Sequence, residues 1–208
     1  MVKNSGVGPR DEIVTSSQFL LACRYQLVVG AITSLRGHLS DSHMYTRKAI
    51  EFSAFAARVK KHPHLAMVWL KADAKDAESY GKYREKFSPG KLFPADHAVL
   101  KELYDRYDHC SKVSHPSLYS ICRHIETERT ATDFNIRFNY CELKNNDLSE
   151  PAQTFLWIVD THFGILQVFE EVLADVIAHD RKKWEVQRNA VDGKVAVHKE
   201  KWKPVIRP

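Results

Sequence analysis

The chain has 208 residues, 44% hydrophobic and 27% charged, which is typical of a globular protein and excludes disorder over most of its length. The formal net charge is +5, and the last twenty residues hold five Lys or Arg against two Asp or Glu. The rest of the chain is nearly balanced, so the overall charge does not indicate a nucleic-acid-binding domain. The four cysteines have no Cys-x-x-Cys spacing, so we expect reduced thiols and a cytoplasmic protein.

The N-terminal part of the chain predicts a loose lead-in followed by a helix. Residues 1–11 combine turn formers with charges and have no apolar period. They also lack a basic stretch followed by an apolar core, so no secretory signal is expected. The apolar stretch Phe19 to Leu35 is interrupted by Arg24, and no other stretch is long enough, so we expect no membrane span.

Apolar residues at helical spacing, capping residues and prolines predict a chain of helices. In the first helix, Leu21, Val28, Ile32 and Leu35 recur at this spacing. Ser40-Asp41-Ser42 is expected to cap the second helix, and Asp96 a later one. The first predicted helix starts at about residue 13 or 17 and ends at 39, and the others cover about 42–61, 65–87, 97–115, 117–129 and 151–188.

Two segments predict structure other than helix. From Phe134 to Leu143, aromatic and aliphatic residues alternate with polar or small ones, as in a half-exposed strand. The tail contains an Asp192-Gly193 turn between short apolar pieces, which indicates a small hairpin or an extended arm. The predicted fold is therefore mainly α, a helical bundle with a small hairpin or strand pair formed by 134–143 and the C-terminal tail. We expect one domain over 1–188 and a basic arm over 189–208.

The helix that ends at Pro116 carries polar side chains along one face. Tyr107, Ser111 and His115 follow one another at intervals of four residues. His115 falls at the C-terminal end of the helix, where the dipole favours the protonated imidazolium and thus an acid or an anion-binding role. Alternatively, His115 caps the last carbonyls and Ser111 donates a hydrogen bond to the preceding turn.

A second polar pair lies on the second helix. Arg47 and Glu51 are four residues apart, so we expect a partly buried ion pair. Arg-x-x-x-Glu on a buried helix, followed by Tyr-x-x-x-Ser-x-x-x-His-Pro-Ser, resembles bacterial helical-bundle proteins of the abortive-infection type. These are loosely related to the HEPN (higher eukaryote and prokaryote nucleotide-binding) superfamily, and the resemblance covers about Ser42 to Ser117.

The resemblance implies a helical bundle and a homodimer. Many HEPN proteins are ribonucleases that use an Arg and a His separated by four to six residues on one helix. This chain departs from that pattern, because Arg106 and His115 are nine positions apart and fall on opposite faces of a helix. Arg58 and His62 are four apart, but His62 precedes Pro63 and falls beyond the predicted helix end.

The candidate site therefore consists of four residues, for which a catalytic role is a hypothesis: Arg47, Glu51, Ser111 and His115. Arg47 is available either for phosphate or for the structural pair with Glu51. No cofactor or metal is expected, since phosphate-binding glycine loops and Glu-x-x-His motifs are missing from the sequence. Asp175 and His179 stand four apart without further ligands. His162 is predicted to be a hydrogen-bonded core histidine.

Two functions fit these observations, and the sequence leaves open whether the protein is an enzyme. The first is an accessory or interaction protein in a bacterial or phage defence or toxin-like context, which acts through protein or nucleic-acid contacts. The alternative, which the resemblance implies, is a HEPN-like, metal-independent ribonuclease with His115 as acid or base. We expect a homodimer and no membrane partner. The basic tail with Trp202 is a candidate nucleic-acid contact.

Overall fold

The computed structural model describes residues 9–114, 125–130, 133–138, 142 and 148–202. These residues are mainly helical, which confirms the predicted fold class. In chain order the elements are α1 (Pro9–Leu35), α2 (Leu39–Lys61), α3 (Leu65–Leu70), α4 (Ala77–Lys86), α5 (Pro89–Leu92), α6 (Ala98–Ser114), β1 (Ile125–Arg129), β2 (Phe134–Phe138), α7 (Ser149–Val172), α8 (Ala174–Ile177), a 3-10 turn (Ala178–Asp180) and α9 (Arg181–Trp202).

The core lies among the four long helices α1, α2, α6 and α7. α2 is the central helix, since it packs against the other three. Apolar side chains at helical spacing on each helix face inward, because burying them removes apolar surface from water. The large, fully buried residues include Phe19, Ile50, Leu103, Ile165 and Phe169.

Two glycines allow these helices to approach closely. A Cβ atom on Gly30 would lie 3.3 Å from the Ser42 carbonyl oxygen, where α1 crosses α2. A Cβ atom on Gly164 would lie 3.1 Å from Leu103 Cδ2, where α7 meets α6. Both distances are shorter than ordinary van der Waals contact, so a side chain at either position would require its neighbour to shift by a few tenths of an ångström.

The N-terminus of α2 is capped by a residue that is distant in sequence. α2 begins at Leu39, so the predicted capping residues Ser40-Asp41-Ser42 lie inside its first turn. The Ser40 backbone N–H donates to Glu142 Oε1 at 2.7 Å, and Ser40 Oγ donates to Glu142 Oε2 at 3.1 Å. The Glu142 N–H donates in turn to the Gly37 carbonyl oxygen, and Gly37 adopts a φ of 80° in the preceding turn.

The predicted helix over 65–87 is divided into two. α3 ends at Leu70, and α4 starts after Asp76, whose carboxylate accepts hydrogen bonds from the Glu78 and Ser79 N–H groups. Asp96 does not cap α6 as predicted. His97 Nδ1 accepts from the Leu100 N–H at 3.3 Å, so the imidazole takes the capping position.

The strand predicted from Phe134 is present over Phe134–Phe138, but its partner is not the C-terminal tail. It pairs antiparallel with Ile125–Arg129, a stretch predicted to be helical, with Arg129 opposite Phe134. A hydrogen bond between the Thr130 N–H and the Asp133 carbonyl oxygen closes the hairpin. A short local connection brings the strands together at little entropic cost, which favours this pairing over a distant one. Residues 117–124 of the predicted helix lie outside the described part.

The predicted helix over 151–188 is interrupted, and the tail is helical. α7 ends at Val172, after which Leu173 leaves helical geometry, and α9 continues through the Asp192-Gly193 pair that predicted a turn. The predicted boundary at residue 188 therefore falls inside α9. An exposed glycine within a helix costs only about 1 kcal/mol, which neighbouring contacts offset.

α9 runs antiparallel to α7 and is attached to it by polar side chains. Trp184 Nε1 donates to Glu170 Oε1 at 2.9 Å, and the Lys199 ammonium group contacts the Asp160 carboxylate at the other end. Arg188 Nη1 lies 3.1 Å from Glu170 Oε1. No side chain of α9 that the structure describes is buried, so these polar contacts account for its position.

Within the described part of the chain, one helical stretch, Asp11–Leu35, is long and apolar enough to cross a membrane. Only 28% of the residues in the most apolar 18-residue part of this helix are buried. The buried side consists of residues such as Phe19 and Cys23, which pack in the bundle core. Length and composition of this kind also fit a core helix of a protein without a membrane span, so this helix does not by itself identify a membrane protein.

Candidate functional site

The predicted ion pair on α2 is present. Arg47 Nη2 lies 3.4 Å from Glu51 Oε1, and both side chains are a little more than a quarter exposed. The same Arg47 nitrogen donates to Tyr107 Oη at 3.1 Å, and the guanidinium carbon lies 5.0 Å from the centre of the Tyr107 ring. Arg47 is therefore held by a carboxylate, a phenol and an aromatic face, which join α2 to α6.

The electrostatics of this cluster keep Arg47 charged. Burial disfavours the cation, but the hydrogen bonds and charges of Tyr107 and Glu51 outweigh it and raise the pKa of Arg47. Burial, followed by the charge of Glu51, raises the pKa of Tyr107, so the phenol stays protonated at neutral pH. Arg47 Nε is buried and has no hydrogen-bond partner in the described residues.

Of the four predicted site residues, the structure joins Arg47 to Glu51. Ser111 Oγ donates to the Tyr107 carbonyl oxygen at 2.9 Å, as in the alternative interpretation of this segment. In the described part of the chain, no hydrogen bond joins Ser111 to Arg47 or Glu51. His115 lies outside the described residues.

Sequence reasoning missed the contact between Tyr107 and Arg47. The two residues are 60 positions apart, and nothing in either local pattern indicates that their helices meet at this point. The available signal was that Tyr107 lies on the polar line of its helix with Ser111 and also at helical spacing from the apolar Leu100, Leu103 and Cys110. A tyrosine at such a border buries its ring and directs its hydroxyl group to a polar partner.

Arg106, which helical geometry excludes as a partner of His115, has a structural role. Its Nη1 donates to Thr161 Oγ1 at 3.0 Å, and its guanidinium carbon lies 5.7 Å from the centre of the Trp157 ring. These contacts link α6 to α7. Arg106 therefore stabilises the packing of two helices.

A cysteine and a histidine lie close together nearby, but they do not form a nucleophilic pair. Cys110 Sγ is 3.8 Å from His43 Nδ1, and both residues are buried. Burial raises the pKa of the Cys110 thiol to about 12. The thiolate is the reactive form, so Cys110 is inert at neutral pH. The His43 ring packs against the rings of His109 and Trp157.

A cavity of about 490 Å³ lies beside the C-terminal end of α2 and is bordered by α5, the start of α6 and the end of α7. Arg58 and His62 both line it. α2 ends at Lys61 and His62 is outside the helix, as the following proline predicts. The two residues therefore share a cavity although they do not share a helix. We name it the α2-end cavity.

The α2-end cavity combines an apolar floor with a charged rim. Several of the rim lysines are paired with carboxylates: Lys61 with Asp96, Lys60 with Glu12 and Asp175, and Lys91 with Glu85. His97 Nε2 lies 3.2 Å from Glu171 Oε2. Among the described residues, no group of three or more potential metal ligands is present. An apolar floor with a few charged groups at the rim is the kind of lining that organic-ligand sites have.

The outer face of α1 carries an exposed stripe in which six of seven residues are apolar. Its residues follow alternating steps of four and three, which is the a/d pattern of a coiled coil. Leu21 is 65% exposed and Leu35 63%, although both are large and apolar. We name this stripe the α1 seam; it consists of Val14, Gln18, Leu21, Tyr25, Val28, Ile32 and Leu35.

The chain was compared with protein-family models, with curated proteins and with solved structures, and nothing matches it.

Proposed function

We propose that this chain is a helical-bundle interaction protein that works as a homodimer, joined through the α1 seam. The observation that carries the proposal is the seam itself, in which six of seven positions are apolar and at least 46% exposed. It spans 22 residues, or roughly 32 Å at about 1.5 Å per residue. Continuous exposed apolar patches of this kind mark interaction sites on proteins.

The spacing of the seam favours a second helix of the same kind as the partner. Alternating steps of three and four over three heptads keep the stripe facing one partner helix. The positions that flank it include Ala22 and Ala31, whose small size lets another backbone approach closely. Gln18 is the polar exception, and one polar position in such a seam fixes the register of two chains.

A lipid surface fits the seam less well than a second copy. Helices that lie on membranes border their apolar face with several Lys or Arg residues, which contact anionic headgroups. Between Val14 and Leu35, the only charged residue of α1 is Arg24. A membrane-spanning α1 would also have to leave Phe19 and Cys23 without the core that now buries them.

The test is a pair of matched double variants. Leu21→Glu with Val28→Glu places two carboxylates in the seam, whereas Val186→Glu with Val197→Glu places two on α9 at valines that are equally exposed. Light scattering after size exclusion is expected to give a dimer for the wild type and the α9 variant, and a monomer for the seam variant. A wild-type monomer, or a seam variant that remains dimeric, would contradict the proposal.

We further propose that the dimer acts in the cytoplasm, in a bacterial or phage defence or toxin-like context. Support comes from the resemblance around Arg47, Glu51 and the Tyr107 to Ser117 segment, and from cysteines that suit a reducing compartment. The test is plaque formation on a bacterial host that expresses the chain. Protection against phage by the wild type but not by the seam variant would support this context, and equal plaque numbers with and without the chain would contradict it.

The ribonuclease alternative keeps one favourable observation, the convergence of Arg47, Glu51 and Tyr107 between α2 and α6. In this proposal His115 acts as acid or base, and Arg47 exchanges Glu51 for the scissile phosphate. Purified protein would be incubated with mixed RNA beside His115→Ala and Arg47→Ala. Cleavage that both variants lose would support an enzyme, and intact RNA under every condition would rule this alternative out.

Nucleic-acid binding through the C-terminal arm is a separate proposal. Lys194 and Lys201 are exposed on α9, whereas Lys199 is engaged with Asp160. The test is the salt dependence of binding to single-stranded RNA. Affinity that falls steeply with salt in the wild type, and less steeply in Lys194→Gln with Lys201→Gln, would support phosphate contacts. Equal slopes would contradict them.

A further inference from the structure

The α2-end cavity has the size and lining of a small-molecule site. Its volume of about 490 Å³ falls within the roughly 300–1,000 Å³ of typical ligand pockets. Apolar side chains form much of its wall, and three of them, Leu92, Leu100 and Val172, also belong to the bundle core. The cavity is therefore part of the folded bundle, and an apolar ligand surface could replace water in it.

Arg58 differs from the other cations of this cavity. In the described part of the chain it has no carboxylate partner, whereas Lys60, Lys61 and Lys91 each have at least one. Its Nε donates to the Lys86 carbonyl oxygen at 2.6 Å and its Nη1 to the Lys91 carbonyl oxygen at 2.9 Å. These bonds hold the guanidinium group in place and leave its Nη2 without a protein acceptor among the described residues.

The charge at Arg58 persists although its surroundings oppose it. Burial lowers the pKa of Arg58, but an arginine side chain stays protonated at any physiological pH. Burial lowers the pKa of His62, and the nearby charges of Arg58, His64 and Lys61 lower it further because they repel the protonated ring. An anion beside Arg58 would relieve this repulsion.

We infer that the α2-end cavity binds a small organic anion, whose carboxylate or phosphate group meets Arg58 and whose apolar body lies against Leu92 and Val172. The Nη2 group of Arg58 still has N–H donors and shares the guanidinium charge, so it can donate a charge-assisted hydrogen bond to an oxygen of either anion. The group is already positioned by two backbone carbonyls, so little conformational entropy is lost on binding. The carboxylates at the rim, Asp96 and Glu171, are engaged with Lys61 and His97.

The experiment titrates the full chain with three probes that share a benzene ring. Phenyl phosphate and benzoate carry the two anionic groups, and benzamide is the neutral control. Binding is followed by calorimetry and by the NMR signal of the His62 ring. Saturable binding of at least one anion, no binding of benzamide and a higher His62 pKa in the bound state are expected. The stronger of the two anions identifies the class of head group.

Two matched variants assign the binding to Arg58. Arg58→Gln is expected to weaken the anion about tenfold or more, since it removes a charged hydrogen-bond donor. Arg84→Gln removes an exposed arginine of α4 that does not line the cavity, and affinity should not change. Ala98→Trp keeps Arg58 but obstructs the cavity from an exposed position, so it decides the question if Arg58→Gln fails to fold. The inference would be overturned if neither anion bound. It would also be overturned if folded Arg58→Gln, or Ala98→Trp, bound the anion as tightly as the wild type.

Discussion

At the scale of single residues, Glu142 shows how one side chain fixes the start of a helix. It is buried, and its carboxylate accepts two hydrogen bonds from Ser40 in the first turn of α2. A carboxylate at this end of a helix also interacts favourably with the helix dipole. Neither effect was predictable, because the two residues lie 102 positions apart.

We expect Glu142→Ala to lower the free energy of unfolding by roughly 1–3 kcal/mol, since the Ser40 donors would lose their buried acceptor. Urea denaturation measures this change. The matched control is Glu102→Ala, which removes an exposed carboxylate paired with Arg106 and should cost less than about 1 kcal/mol. Equal losses for the two variants would contradict the capping role.

His162 gives the stability of the bundle a pH dependence with a definite sign. It was predicted to be a hydrogen-bonded core histidine; it is partly buried, and burial lowers its pKa from the usual 6.5. The unfolded chain then binds the proton more readily than the folded one. The stability that His162 contributes is present above pH 6.5. It is lost as the pH falls from 6.5 through the lower pKa that His162 has in the folded chain.

His162→Gln is therefore expected to show a smaller loss of unfolding free energy than the wild type between about pH 7.5 and about pH 5.5. Urea denaturation at the two pH values gives the comparison. His179→Gln is the control, because His179 is exposed and outside the core. If the wild type and His162→Gln lose the same free energy of unfolding on acidification, the partly buried His162 is not the cause of the pH dependence.

At the scale of elements, local patterns predicted those helices whose buried apolar residues recur at regular spacing along the chain. α2 and α6 have apolar stripes at helical spacing, and the alternation from Phe134 predicted a strand that is present. The interruption at Leu173 and the helix through Gly193 were not predictable. α9 is held by ion pairs with Glu170 and Asp160 on another helix, and a sequence pattern does not contain such contacts.

Because polar contacts attach α9 to α7, we expect this attachment to weaken with salt. At about 1 M ionic strength charges are screened beyond roughly 3 Å. Amide hydrogen exchange in α9 should then increase, while exchange in the buried α2 changes little. Asp160→Asn with Glu170→Gln should produce the same increase at low salt. Unchanged protection of α9 in both experiments would mean that other interactions hold it.

At the scale of the whole molecule, α1 shows why a sequence cannot always distinguish core from surface. Leu21, Val28, Ile32 and Leu35 recur at helical spacing, and Phe19, Cys23 and Leu27 form a second such series. Two apolar faces on one helix predict that both are covered, but not which one faces the core of the same chain. In the structure the second series is buried and the first is exposed.

The candidate site was predictable to the same limited extent. The pair of Arg47 and Glu51 follows from their spacing on one helix, and it is present. The contact with Tyr107 and the α2-end cavity depend on how distant segments pack, so neither followed from a pattern. Arg58 and His62 were rejected because of helix geometry, yet the end of α2 turns both towards one cavity.

The central claim is that this chain covers the α1 seam with a second copy of itself. Sedimentation equilibrium of the unmodified chain over a dilution series tests it most directly. We predict a mass of twice the 24.0 kDa of one chain, with dissociation only at low concentration. A single species of 24.0 kDa at every concentration would contradict the account.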